Sequence, residues 1–387
     1  MKKSTKVLLI IASVCLALGV ALGVTGLVNG ASRWIYADAQ GVHVVRESTR
    51  QLNETLPAFS AMEVDLKAPV SVRVVASDHF GLSCTYREDL PLPEYTVAEG
   101  KLRLWDKAYE TPQSSFYWFN LNLGEPRSQD TLTLYVPAGT VLTLAEFNLE
   151  SADLALADLS AEQLQVKATY GSLSLDNISS HGLDIQNKHG TVSLNQVSAH
   201  SLRYENAYAS GYFNQVTVAS SQPVDMTTSH GDLYLTAFTA PQARFNSQYG
   251  RLILTDSQLD SLSATTDHGD VQLMRTAAQQ ACFKTLYGDI HLEQTNLSDL
   301  KAQSTQGAIY YQGALSGNAE ATSEYSDIRI ELSDALSGYN YNLASTYGLL
   351  HMGDNKMERY FQQDNGQAYT LTLKSTHGDI LVSGQGG

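Results

Sequence analysis

The stretch "DHGDVQLM", residues 267–274, sets a His-Gly-Asp triplet in front of an alternating apolar run. The same shape returns as "SHGDLYL" at 229–235, "LYGDIHL" at 286–292 and "THGDILV" at 376–382. Such a triplet is open to three readings: a metal-ligand cluster, a catalytic pair, or a turn leading into a strand. Its spacing decides among them. With the glycine as position zero, Gly171, Gly190, Ala209, Gly231, Gly250, Gly269, Gly288, Gly307, Ser326, Gly348 and Gly378 hold equivalent places, and Ala152 stands one period earlier. The step is 19 residues, stretched to 22 before Gly231 and Gly348 and to 30 before Gly378.

Apolar residues fall at fixed offsets of two, four, twelve and fourteen: Leu173, Leu175, Leu183 and Ile185 in one unit, Ile290, Leu292, Leu300 and Ala302 in a later one. Each pair alternates with polar neighbours, which is the periodicity of strands. One unit buries too few apolar side chains to offset the entropy of ordering its residues, so copies must stack on one another. The expected fold is all-β: a single-stranded β-solenoid of about 19 residues per coil, wound right-handed, with an N-terminal β cap and one N-terminal transmembrane helix. The expected divisions are 1–28 cytoplasmic tip and anchor, 29–56 stalk, 57–145 β cap and opening coils, and 146–387 solenoid repeats.

Stacking turns each offset into a column. The residue before the glycine alternates Tyr170, His189, Tyr208, His230, Tyr249, His268, Tyr287. Histidines of that column stand two coils apart, about 9–10 Å, whereas zinc ligands converge on one ion at about 2 Å each. The column therefore reads as an aromatic ladder at a turn, and the glycine as a turn residue suited to positive φ. The aspartates after the glycine, Asp153, Asp232, Asp270, Asp289, Asp327 and Asp379, read as turn caps; calcium needs six to eight oxygens, which the interruptions at Arg251 and Ala308 do not supply. Offset sixteen is small or polar, from Asn187 to Ser375, and reads as a ladder of hydrogen-bonded side chains. No catalytic, cofactor or metal residue is assigned.

Two features read as candidate binding surfaces. Offset three carries Tyr212, Tyr234, Ile253, Gln272, His291 and Tyr310 outward on successive coils, a stripe able to meet a glycan or a protein. The insertion after Gly348 gathers Lys356, Arg359, Tyr360 and Phe361, either as a binding loop or as a loop capping the rod.

At the N-terminus Lys2, Lys3 and Lys6 precede an uncharged run from Val7 to Val28. As helix, it would reach about 33 Å, enough to cross a hydrocarbon core of about 30 Å. The run is longer than the apolar core of a cleaved signal peptide and reads as an uncleaved anchor. The lysines before it, against Arg33 alone soon after, place residues 29–387 outside the cell. That part holds 22 Lys and Arg against 40 Asp and Glu, a formal charge of −18, which argues against nucleic acid as a partner. Only Cys84 and Cys282 lie beyond the apolar run, too few for a disulfide framework.

"LPAFSAMEVDLKAPVSVRVVASD", "DTLTLYVPAG" and units such as "YGSLSLDNIS" and "HGDLYLTAF" resemble a bacterial family of membrane-anchored, adhesin-like proteins built from a β-strand repeat domain of unknown function. The resemblance spans nearly all of the exterior part and carries no agreed catalytic residues. It implies a noncatalytic surface module that binds a surface glycan or an envelope protein. The alternative is a structural or regulatory envelope protein linked to a membrane stress system. A polysaccharide-active enzyme is the weaker reading, because short uniform turns wall no deep groove.

Overall fold

The computed structural model describes residues 3–28, 35–38, 41–44, 49–87, 92–106 and 130–384. Lys2, Arg33 and part of the expected stalk lie outside them; within that interval Ile35–Asp38 pairs antiparallel with Gly41–Val44, and Thr49–Thr55 pairs with Gly81–Arg87. A helix covers Lys3–Val28. Among the described residues no helix is long and apolar enough to cross a membrane.

The remainder is a β-solenoid. From Val141 to Leu332 about ten turns of about 19 residues follow in chain order. Each strand pairs in parallel with its copy one period away: Leu183 with Leu202, Leu252 with Val271, Leu273 with Leu292. The residues at offsets two, four, twelve and fourteen are buried, as in Leu252, Leu254, Leu262 and Ala264. Two further inward columns appear at offsets seven and nine, represented by Phe238 and Ala240. Column positions trade volume: Tyr204 fills the interior at offset fourteen, edge-on to Phe213 at 5.0 Å, and Gly211 stands where a Cβ would collide with the Tyr204 hydroxyl.

The glycine corner works differently from the expectation. None of its glycines has a left-handed φ. A Cβ on Gly269 would instead fall far inside van der Waals contact with the Gly250 carbonyl, and Gly288 meets Gly269 the same way. Glycine is there because successive backbones approach closely. The left-handed corner lies six residues later, at Asp158, Asn177, Gln196, Gln215, Ala237, Asp256, Arg275 and Gln294, with φ between 48° and 54°. None of these is glycine, so the position carries no glycine signature in the sequence.

Offset sixteen is hydrogen-bonded, but to backbone and not to its own copies. The hydroxyls of Thr266, Ser304 and Ser375 accept the N–H of Gly269, Gly307 and Gly378 at 2.9 Å each. The aspartates after the glycine cap across coils: Asp270 Oδ1 accepts Asp289 N–H at 2.9 Å, and Asp289 Oδ1 accepts Ala308 N–H at 2.7 Å.

Chain order fails at both ends. Ala319–Ser323 pairs with Thr370–Ser375, which pairs in turn with Asn340–Ser345. The last coil of the chain therefore sits one layer in, and the coil before it closes the rod. The N-terminal end repeats the device: Ala61–Leu66 lies between Val141–Leu149 and Lys101–Trp105, and Ser71–Ser77 lies between Asp153–Ala157 and Thr131–Pro137. Antiparallel strands then cover the outer edges. Gly81–Arg87 and Glu94–Ala98 do so at one end, Tyr360–Gln363 and Asn355–Met357 at the other. Unpaired edges invite association with other chains, and these covers leave only short strands outermost.

Candidate functional site

The corner preceding each glycine builds the longest outward feature. Tyr170, His189, Tyr208, His230, Tyr249, His268 and Tyr287 stack with ring centroids 4.6–5.1 Å apart and planes within 23°. Gln306 interrupts the stack. It resumes as Tyr325, His377 and Tyr347, each step 5.0 Å. The knitted C-terminal coil thus restores the Tyr–His alternation that chain order breaks. Because each ring covers its neighbour's face, solvent meets phenol and imidazole edges. An uncovered face remains only where the stack stops, and Tyr170, 62% exposed, is such a terminus.

The sequence-predicted stripe at offset three runs in register from Tyr212 to Tyr310, one residue per coil, but its ring stacking is interrupted. Tyr212 and Tyr234 stack at 5.0 Å with planes 4° apart, and His291 stacks on Tyr310 at 4.7 Å. Ile253 and Gln272 lie between the two pairs and are half-buried. Tyr234 is tied down, donating to Asp232 at 3.0 Å, and Asp232 also accepts the side chain and backbone of Arg251 at 2.7 and 2.8 Å. Partial burial opposes ionisation of Asp232, yet the Arg251 bonds and the Tyr234 hydroxyl hold its carboxyl below the usual range. Burial, then Asp232, raises the Tyr234 phenol. Tyr310 donates to Glu331 at 3.1 Å, with the Arg329 guanidinium 5.9 Å from its ring centroid.

The residues after Gly348 become the end cover. Tyr360–Gln363 lies antiparallel on the outermost coil, with Phe361 opposite Leu343 and packed 6.4 Å from Tyr341. Lys356, Arg359 and Tyr360 project to solvent from this cover. Cys84 and Cys282 are free thiols, the first buried, with its thiol pushed up to about 12 by burial, and the second exposed.

Sequence reasoning missed a groove. It has a volume of about 590 Å³ and runs across the strands beside the Tyr170 end of the ladder. Its floor crosses offset sixteen, where Ala168, Asn187 and Asn206 turn inward between the outward residues on either side. A second groove of about 470 Å³ crosses the same sheet farther along, lined by Ser263, Cys282, Lys301 and Glu320 among others. Small residues at offset sixteen are visible in the sequence; a groove across them is not.

No curated protein matches the chain. Among solved structures it is similar to a candidate cell adhesion protein from Clostridium sporogenes, at 7% identity over 87% of this chain and 100% of the other, TM-score 0.17. A candidate adhesin from Bacteroides fragilis gives 10% identity, coverage of 88% and 98%, and TM-score 0.20. A candidate lipid-binding protein from Parabacteroides distasonis gives 12% identity, coverage of 88% and 98%, and TM-score 0.25. A family model matches over residues 59–239 and again over 209–383, spanning both knitted ends and every coil between: the chain belongs to the Toastrack DUF4097 family.

Proposed function

We propose that this protein is a noncatalytic binding module, held at the outer face of a membrane by its N-terminal helix, that presents a rigid β-solenoid to a surface ligand. The observation that carries the reading is the order of the outward columns. Backbone pairing on both sides of nearly every strand fixes polar and aromatic side chains at one coil's rise, about 4.8 Å, along the length of the rod. A repeating surface of this kind suits a repeating or extended partner, because many weak contacts in register add up without a deep pocket. The run of apolar residues in Lys3–Val28 and the lysines before it support the anchoring and its direction.

Cys282 supplies the topology test. It is exposed, Cys84 is buried, and Cys15 lies in the apolar helix. A membrane-impermeant maleimide applied to intact protoplasts should label the full-length protein, and Cys282→Ser should abolish the label. Labelling that needs permeabilised membranes would refute an exterior rod. For the ligand, full-length protein in detergent should be cross-linked in native envelope and recovered. Co-purified glycan or envelope protein supports the binding role. Turnover of an envelope polymer by the pure protein would replace it with catalysis.

A further inference from the structure

The structure assigns a ligand class to the groove beside Tyr170: we infer that it holds an extended, uncharged glycan lying along the rod axis, an inference that rests on the reading of the protein as a binding module. The groove crosses strands stacked in the order Ala61–Leu66, Val141–Leu149, Ser160–Ala168, Leu173–Asn187, Val192–Asn206 and Val224–Thr228. Its long axis is therefore the stacking axis, about 24 Å from first strand to last at ~4.8 Å per step. A hexose in an extended chain advances by about that same rise, so successive sugars meet successive coils.

Four properties of the groove select the ligand. Its charged lining is balanced, with Lys67, Lys167 and Lys188 against Asp65, Glu150 and Glu205, which disfavours polyanions and polycations alike. Among the described residues the three lysines and Glu150 make no ion pair, so their donors and acceptors are free to meet hydroxyls. The backbone of the floor is consumed by parallel pairing on both sides, so a peptide cannot add to it as a strand and only side-chain recognition remains. Tyr170 ends the ladder beside the groove: one ring face is covered by His189, and the other is open toward the preceding coil, where an apolar sugar face can pack.

The test is calorimetric titration of the full-length protein in detergent micelles with cellohexaose and chitohexaose. A sulfated polysaccharide is the charged comparison. Saturable binding of a neutral hexaose is expected, weakened about tenfold or more by Tyr170→Ala and by Gln186→Ala, both in the groove lining. Tyr347→Ala, at the opposite terminus of the ladder and outside the groove, should leave binding unchanged, and thermal melting should show all three variants folded. Three results overturn the assignment: no neutral hexaose binds, binding persists undiminished in Tyr170→Ala and Gln186→Ala, or the sulfated polymer alone binds. If the hexaoses fail while the intact protein still captures an envelope component, the groove assignment falls and the binding-module reading survives; if nothing is captured either, both fall.

Discussion

At single positions the fold is governed by how closely coils approach. Gly269 has no room for a side chain above Gly250, so Gly269→Ala should force a backbone shift and destabilise by about 1–3 kcal/mol. Hydrogen exchange over the adjoining coils is the appropriate readout, since a rod need not unfold in one step. Unchanged protection there would show that the corner tolerates a Cβ as it does at Ala209. The ladder makes a prediction of the opposite sign. Gln306→His places a ring between Tyr287 and Tyr325 and should raise stability by about 0.5–1.5 kcal/mol, the scale of an aromatic contact; a lower melting temperature would count against stacking as a stabilising term. Asp232 contributes a pH dependence. Its folded carboxyl titrates below the ordinary value of 3.8, so its stabilising contribution is complete above that value and is lost as pH falls through the lower folded one. Asp232→Asn should therefore melt earlier than wild type at neutral pH, with the gap closing in acid below 3.8. A gap that persists there would assign the effect to something other than the carboxylate.

At the scale of strands, the spacing of apolar residues was enough to predict the coils, because parallel stacking repeats one burial pattern at one interval. Asp capping and the interleaving of histidine with tyrosine were equally readable. The left-handed corner was not, since Asp, Asn, Gln, Ala and Arg all occupy it. Nor was the stacking order at the ends: Leu371 and Leu373 would bury as well on the outermost layer as one layer in, and alternation cannot say which coil lies against which. One clue was present, in that Tyr325, Tyr347 and His377 alternate only when the last coil is placed between the other two. The groove escaped for a related reason, because its shape depends on what flanks Ala168, Asn187 and Asn206 in space. The knitted coil supports its neighbours through Leu371, Leu373, Ile380 and Val382, all buried, at about 1.5–3 kcal/mol each. A chain ending at Tyr369 should lose exchange protection over Asn340–Ser345 and Leu350–Met352 while coils before Gly288 keep theirs. Full protection of Asn340–Ser345 in that truncation would mean the closing coil needs no partner from the C-terminus.

At the scale of the whole molecule, the rod is a scaffold closed at both ends by the same device. A terminal coil is tucked inward, a neighbouring coil closes over it, and short antiparallel strands cover the edges that remain. Closure of this kind keeps a long parallel sheet from recruiting further chains and leaves the outward columns and the groove exposed along the rod. Disulfide trapping in a cysteine-free background tests the knitted order most directly, using Thr322, Lys374 and Ala344, which occupy one column on three successive layers. Layer neighbours stand about 4.8 Å apart and second neighbours about twice that, while a disulfide spans Cα distances of about 4.4–6.8 Å. Thr322→Cys with Lys374→Cys, and Lys374→Cys with Ala344→Cys, should each cross-link on mild oxidation, and Thr322→Cys with Ala344→Cys should not. Ready cross-linking of the 322–344 pair, with none at 322–374, would contradict the knitted rod and restore plain chain order.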